Sequence, residues 1–198
     1  MVHFAYMENE RKFEAPEIPE LEELRHVTDT LLTTALREPD NYSGFMVTTF
    51  SEKDFAQANF TRTLNSHTRS VFETFTIRRQ GRDHTIVFQT QRPTYEDEGY
   101  GGTVRVTKEY PLAPGQPTSV KKEIGRKQDD GELGDVSLLE PQIIGEPLDS
   151  GEPEQLAEIE SLIGAMRFIR GEYNEGRPRT RAGWLVWLLQ NRQRGTDV

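Results

Sequence analysis

The chain has 198 residues, a net charge of −9 and no cysteine. Without cysteine, it cannot form a disulfide framework, a thiolate metal site or a cysteine nucleophile. The net negative charge argues against a protein that coats nucleic acid. This length predicts a single domain over residues 1–198. We expect it in the cytoplasm, because the first dozen residues lack a secretory pattern and the longest apolar run, Trp184 to Leu189, is too short for a bilayer.

The charge is distributed unevenly along the chain. Residues 1–61 carry 5 basic and 12 acidic side chains, and residues 128–198 carry 7 and 14. Residues 62–127 instead carry 12 basic and 7 acidic side chains, a net charge of +5. A basic middle third can bind a small anion if the fold gathers it into a cleft. Alternatively, these are exposed strand residues that prevent pairing of sheet edges.

The first chemically suggestive stretch is Glu8-Asn9-Glu10-Arg11-Lys12. If it is a strand, Glu8, Glu10 and Lys12 share a face, where the two carboxylates can hold a divalent cation and the lysine can contact its anion. If it is a helix, Glu8 and Lys12 form an ordinary i,i+4 ion pair. Pro16 and Pro19 break any continuing helix and favour the strand.

Helical spacing of leucines predicts a helix from Pro19 to Arg37, stopped by Pro39-Asp40-Asn41. Strands are predicted at Tyr42–Phe50 and at Phe60–Leu64.

A hairpin is predicted from strands at Val71–Arg79 and Arg82–Gln91, linked by Gln80-Gly81. Pairing Arg79 with Arg82 gives one apolar face and one polar face. The apolar face carries Val71, Phe75, Ile77, Ile86 and Phe88, with His84 as a structural histidine. The polar face carries Thr74, Thr76, Arg78, Thr85, Gln89 and Gln91, with Val87 and Phe72 as exceptions. That face is either plain exterior or the lining of a barrel with a polar lumen.

The second half of the chain predicts strands at Thr103–Tyr110 and Thr118–Lys127. Alternation places Arg105, Thr107 and Glu109 on one side of the first strand, and Val120, Lys122, Ile124 and Arg126 in register on the second. A loop with at most one short strand is predicted over residues 128–151. A second helix is predicted from Pro153 to Gly164, followed by a strand at Met166–Tyr173. Periodicity leaves the apolar stretch Trp184–Leu189 open between strand and helix.

Three features resemble the CYTH, or triphosphate-tunnel, superfamily. The first is the N-terminal Glu-x-Glu-x-Lys pattern, present as Glu8-Asn9-Glu10-Arg11-Lys12. The second is Ile77-Arg78-Arg79-Gln80-Gly81 leading into a strand, and the third is a late helix ending in Leu162-Ile163-Gly164. The resemblance implies an α+β fold: a closed, antiparallel eight-stranded β-barrel, or tunnel, with helices packed outside.

The resemblance also implies a function. Glu8 and Glu10 would be catalytic residues and ligands of Mg²⁺ or Mn²⁺, and Lys12 and Arg78 would bind phosphate. Strand parity adds Arg105 and Lys122, and Arg181 is a further candidate. The expected activity is metal-dependent hydrolysis of inorganic triphosphate, thiamine triphosphate or a nucleotide.

The chain departs from the family pattern at Thr76, at Gln89 and in its acid-poor C-terminal stretch. One alternative is therefore a non-catalytic protein that binds polyphosphate or nucleotide, and another is cyclisation of ATP. A third is an interaction domain with no anion site. The expected partner is a triphosphate or nucleotide, with no nucleic-acid duplex, no membrane and a homodimer as an option.

Overall fold

A computed structural model describes residues 18–66, 69–94, 102–127, 133–139 and 142–171. These residues form two helices and eight strands. In chain order they are α1 (Pro19–Arg37), β1 (Met46–Ser51), β2 (Phe55–Ser66), β3 (Arg69–Gln80), β4 (Asp83–Pro93), β5 (Gly102–Pro111), β6 (Pro117–Lys127), β7 (Leu133–Leu139), β8 (Ile143–Pro147) and α2 (Pro153–Ile169).

Helix α1 begins and ends at the residues that the sequence predicts. Pro19 starts it because the ring fixes a helical φ and the first turn needs no N–H from that residue. Leu24, Leu31 and Leu32, at helical spacing, have no exposed surface. The stripe packs on one face of the sheet, with Phe60, Phe75, Ile77 and Ile86 in the same core.

The strands form one antiparallel sheet in which β1 to β7 follow each other in chain order. Strands β7 and β8 both pair with β6, at its two ends. We call the side of the sheet that packs on α1 the helix face and the opposite side the polar face.

The predicted closed barrel is wrong, because among the described strands β1 pairs only with β2 and the sheet is open. Closure would require β1 to pair with the last strands across a fixed stagger. Instead, every residue of β1 except the half-buried Val47 is exposed, as expected of a free edge. The alternation of polar and apolar residues specifies which side of a strand is buried, but not whether the sheet closes.

The β3–β4 hairpin confirms both predicted faces although its register differs from the prediction. Arg79 lies opposite His84, so the turn is Gly81-Arg82. Since this register differs by two residues from the predicted one, every side chain stays on its predicted face. His84 lies on the helix face, where its Nε2 is 3.2 Å from Asp29 Oδ1 of α1.

Two predictions for the second half of the chain are wrong. The region after residue 128 contains two strands, β7 and β8, rather than at most one. Helix α2 continues through Gly164 to Ile169, so Met166 belongs to a helix rather than to a strand. Ala165, Met166 and Ile169 extend the buried stripe of α2, and this burial outweighs the weak helix propensity of one glycine.

Replacing Gly164 with alanine is expected to stabilise the protein. A methyl group there would meet nothing within 4 Å, so the substitution adds no clash. Alanine in a helix interior is favoured over glycine by about 1 kcal/mol, because glycine loses more backbone entropy on folding. Urea denaturation should therefore give a higher unfolding free energy for Gly164→Ala, and a lower value would contradict the helical assignment of this segment.

A buried ion pair joins β2 and β3 on the helix face. Arg62 Nε donates to Glu73 Oε2 at 2.7 Å, and the two side chains are 10% and 6% exposed. The guanidinium also lies 5.6 Å from the ring of Phe45 and 5.3 Å from that of Phe168 in α2. Burial raises the pKa of the Glu73 carboxyl above its usual value, and Arg62 opposes this shift only in part.

Candidate anion site on the polar face

The polar face presents hydroxyl, amide and charged groups across most of its strands. Around Arg78 these groups are already hydrogen-bonded to each other. Arg78 Nε donates to Gln57 Oε1 at 3.2 Å, and Gln57 Nε2 donates to Asn59 Oδ1 at 3.0 Å. Asn59 accepts from Thr76 at 2.9 Å and donates to Thr48 at 3.1 Å. Arg78 is thus an exposed side chain at the end of a hydrogen-bonded network.

Arg105 lies in a different environment on the same face. It occupies β5, with Gln91 of β4 and Glu123 of β6 directly opposite on either side. Its Nη2 is 3.5 Å from Gln91 Oε1, which is long for a hydrogen bond. Its Nε is buried and has no acceptor within the described part of the chain. A buried N–H without a partner costs about 1–3 kcal/mol, so this group is a candidate contact for a water or an anion.

Lys121 supplies a second cation close to Arg105. It lies opposite Thr107 in β5, so it is the diagonal neighbour of Arg105 on the polar face. Diagonal neighbours in an antiparallel pair are about 7–8 Å apart, within reach of one anion for two long side chains. Lys121 Nζ contacts Glu123 Oε1 at 2.8 Å, and Lys121 is the more exposed of the two. We call Arg105, Lys121 and Gln91 the Arg105 cluster.

The two described arginines that are predicted to bind phosphate share the polar face but do not converge. Arg78 lies opposite Thr85 of β4, and Arg105 lies opposite Gln91. These positions are six residues apart along β4, or about 20 Å at about 3.4 Å per residue. A triphosphate bound by one of them would not reach the other.

Lys122, the third predicted cation in the described strands, lies on the helix face opposite Val106. Lys122 shares its side of β6 with Val120 and Ile124, as predicted. Arg105 of β5, in contrast, lies on the polar face. The other candidates, Glu8, Glu10, Lys12 and Arg181, lie outside the described residues, as do the predicted strand at 8–13 and the Trp184–Leu189 stretch.

Sequence reasoning missed Lys121 because it followed the apolar register of β6, which selects Lys122. The pairing of β6 with β5 identifies Lys121. Thr107 is predicted on the same side of β5 as Arg105, and Lys121 lies directly opposite Thr107, so Lys121 shares that side. It also missed Arg62 and Glu73, whose burial depends on packing by α2.

The predicted metal site cannot be placed in the described part of the chain. No group of three His, Asp or Glu side chains there could hold a metal ion. Glu109 and Glu123 are candidates to complete a site with Glu8 and Glu10. Glu109 lies opposite Ser119 of β6, four residues from Glu123, which corresponds to about 14 Å along the strand.

A second polar cluster lies on the helix face. The Tyr110 hydroxyl donates to Glu158 of α2, and Lys108 Nζ lies 4.0 Å from the same carboxylate. Burial and the neighbouring Glu158 charge together raise the pKa of Tyr110 well above its usual value. These groups neutralise each other and fix α2 on the sheet, so they do not form a ligand site.

Comparison with known proteins gives no family for this chain: no family model matches it, and no curated protein or solved structure is significantly similar. The CYTH resemblance therefore stays a prediction carried by the sequence pattern. In the described residues, no helix combines the length and apolar character that crossing a membrane requires.

Proposed function

We propose that the protein binds a triphosphate-bearing small molecule on its polar face without turning it over. Inorganic triphosphate, thiamine triphosphate and a nucleotide share the chemistry that the Arg105 cluster can recognise. The observation that carries the proposal is the buried Arg105 Nε, which has no acceptor in the described residues. A guanidinium presents donors in a planar fork that matches phosphate oxygens, and a phosphate would reach this Nε–H once the Arg105 side chain turns toward solvent.

Lys121 supports the same proposal as a second, adjustable cation. Its contact with Glu123 is partly exposed, at 45% and 16%, so solvent weakens it and the ammonium can turn toward an incoming anion.

We propose binding rather than hydrolysis because the predicted phosphate-binding cations of the described strands do not converge on one phosphate. Phosphoryl transfer needs cations and a metal around the same phosphate. Arg78 lies far along the sheet from Arg105, and Lys122 lies on the other face. Hydrolysis with Mg²⁺ or Mn²⁺ on Glu8 and Glu10, and ATP cyclisation, are outcomes that the experiment distinguishes. The cytoplasmic location predicted from the sequence would give access to such ligands.

The test is thermal unfolding of the full chain with tripolyphosphate, thiamine triphosphate or ATP, with and without Mg²⁺ or Mn²⁺. Sulfate at matched ionic strength is the control for nonspecific screening. We expect at least one triphosphate to stabilise the protein, by about 2.7 kcal/mol at 100 times its Kd, with no release of phosphate or pyrophosphate. Stabilisation no larger than that by sulfate would refute binding. Product release that disappears in Glu10→Ala would refute the absence of turnover.

A further inference from the structure

Within the described residues, strand β1 pairs only with β2, and its own sequence lacks the usual protection of a sheet edge against further pairing. Its residues Met46–Ser51 include no charged side chain and no proline, although 29% of the whole chain is charged. Natural edge strands are commonly protected by lysine, proline or a bulge, because their unpaired backbone groups otherwise bind another strand. The other short edge strand, β8, does carry Glu146 and Pro147.

The backbone N–H and C=O groups of alternate residues of β1 point away from β2. The Glu52 N–H donates to Phe55 O at 2.8 Å, at the start of the β1–β2 ladder. In an antiparallel ladder, hydrogen-bonded pairs alternate with pairs that exchange no bond. Even-numbered residues of β1 therefore direct their backbone groups to β2, whereas those of Val47, Thr49 and Ser51 point outward.

Two large apolar side chains of this edge are exposed on the polar face. Met46 is 65% exposed and Phe50 is 50% exposed. They lie two residues before and two residues after Thr48. A two-fold axis through Thr48 would therefore join the sheets of two copies into one continuous sheet. Met46 of each copy would then lie opposite Phe50 of the other, with both pairs on the polar face.

We propose that two copies of this chain associate through antiparallel pairing of β1 with β1, centred on Thr48. Val47 and Thr49 of opposite copies exchange backbone hydrogen bonds, giving four bonds in all. Met46 and Phe50 form cross-strand pairs without backbone bonds, in which side chains are closest. Of the registers centred on a residue of β1, only the one centred on Thr48 gives both Met46 and Phe50 of each copy an apolar partner.

The pairing is short, so we expect a reversible dimer that dissociates on dilution. Sedimentation velocity of the full chain across a concentration series measures this directly. Phe50→Lys should weaken the dimer more than tenfold, because it places a charge opposite Met46. Phe72→Lys is the matched control: Phe72 is 47% exposed on the same face, but it lies in the interior strand β3.

Charge exchange tests the register. Met46→Glu/Phe50→Glu and Met46→Lys/Phe50→Lys should each be monomeric, since each double variant places like charges opposite one another. An equimolar mixture should form a mixed dimer. A wild type that stays monomeric at all concentrations, a dimer equally sensitive to Phe50→Lys and Phe72→Lys, or a mixture that stays monomeric would overturn the proposal. Far-UV circular dichroism verifies that each variant folds.

Discussion

Replacing Arg105 with methionine is expected to raise the Kd for triphosphate about 10- to 100-fold. Hydrogen bonds to charged groups contribute about 1.5–3 kcal/mol, and each 1.4 kcal/mol changes affinity tenfold. Methionine removes every donor of the guanidinium while keeping an apolar side chain on β5. Isothermal titration of wild type and variant with tripolyphosphate measures the change.

Arg78→Met is the matched control, because it makes the same change on the same face about 20 Å away along the sheet. It should leave the Kd within a few-fold of the wild-type value. Without ligand, Arg105→Met should be as stable as wild type or more stable, since a buried unpaired N–H is removed. Loss of stability without loss of affinity would instead assign Arg105 a structural role.

Replacing Arg62 with methionine is expected to destabilise the fold by about 3–5 kcal/mol at neutral pH. The change leaves the Glu73 carboxylate buried without its cation, which is the costly way to break such a pair. It also removes the guanidinium that contacts the rings of both Phe45 and Phe168, and so weakens the contact of α2 with the sheet. Urea denaturation at pH 7 gives the difference in unfolding free energy.

Two comparisons test that explanation. Adding Glu73→Leu to Arg62→Met should recover most of the loss, because the uncompensated carboxylate is then absent. The loss should also shrink toward acidic pH. A carboxyl whose folded pKa is raised loses stabilising free energy as pH rises from its unfolded value of about 4.5 through the folded value. Without Arg62, the pKa of Glu73 rises further, so the cost of Arg62→Met increases with pH. A loss independent of pH would contradict this cause.

Local patterns were sufficient for α1 and for the central hairpin. The bounds of α1 follow from Pro19 and from Pro39, whose backbone restrictions act within a few residues. The faces of β3 and β4 follow from a period of two and tolerate the two-residue register difference.

Features that depend on tertiary packing were not predictable in this way. Gly164 looks like a helix end, but burial of Met166 and Ile169 carries α2 past it. Whether β1 pairs with the last strands is decided by stagger and curvature, which alternation does not encode. The choice between Lys121 and Lys122 required the β5–β6 register, since adjacent residues of one strand point to opposite faces.

The central claim is that a phosphate binds the buried Arg105 Nε–H. The most direct measurement is the NMR signal of arginine Nε–H groups during titration of the full chain with tripolyphosphate, assigned with Arg105→Met and Arg78→Met. We expect the Arg105 Nε–H signal to shift until the protein is saturated with tripolyphosphate and to become protected from exchange with water. The Arg78 signal should stay in place. An unchanged Arg105 signal at concentrations that stabilise the protein would contradict it.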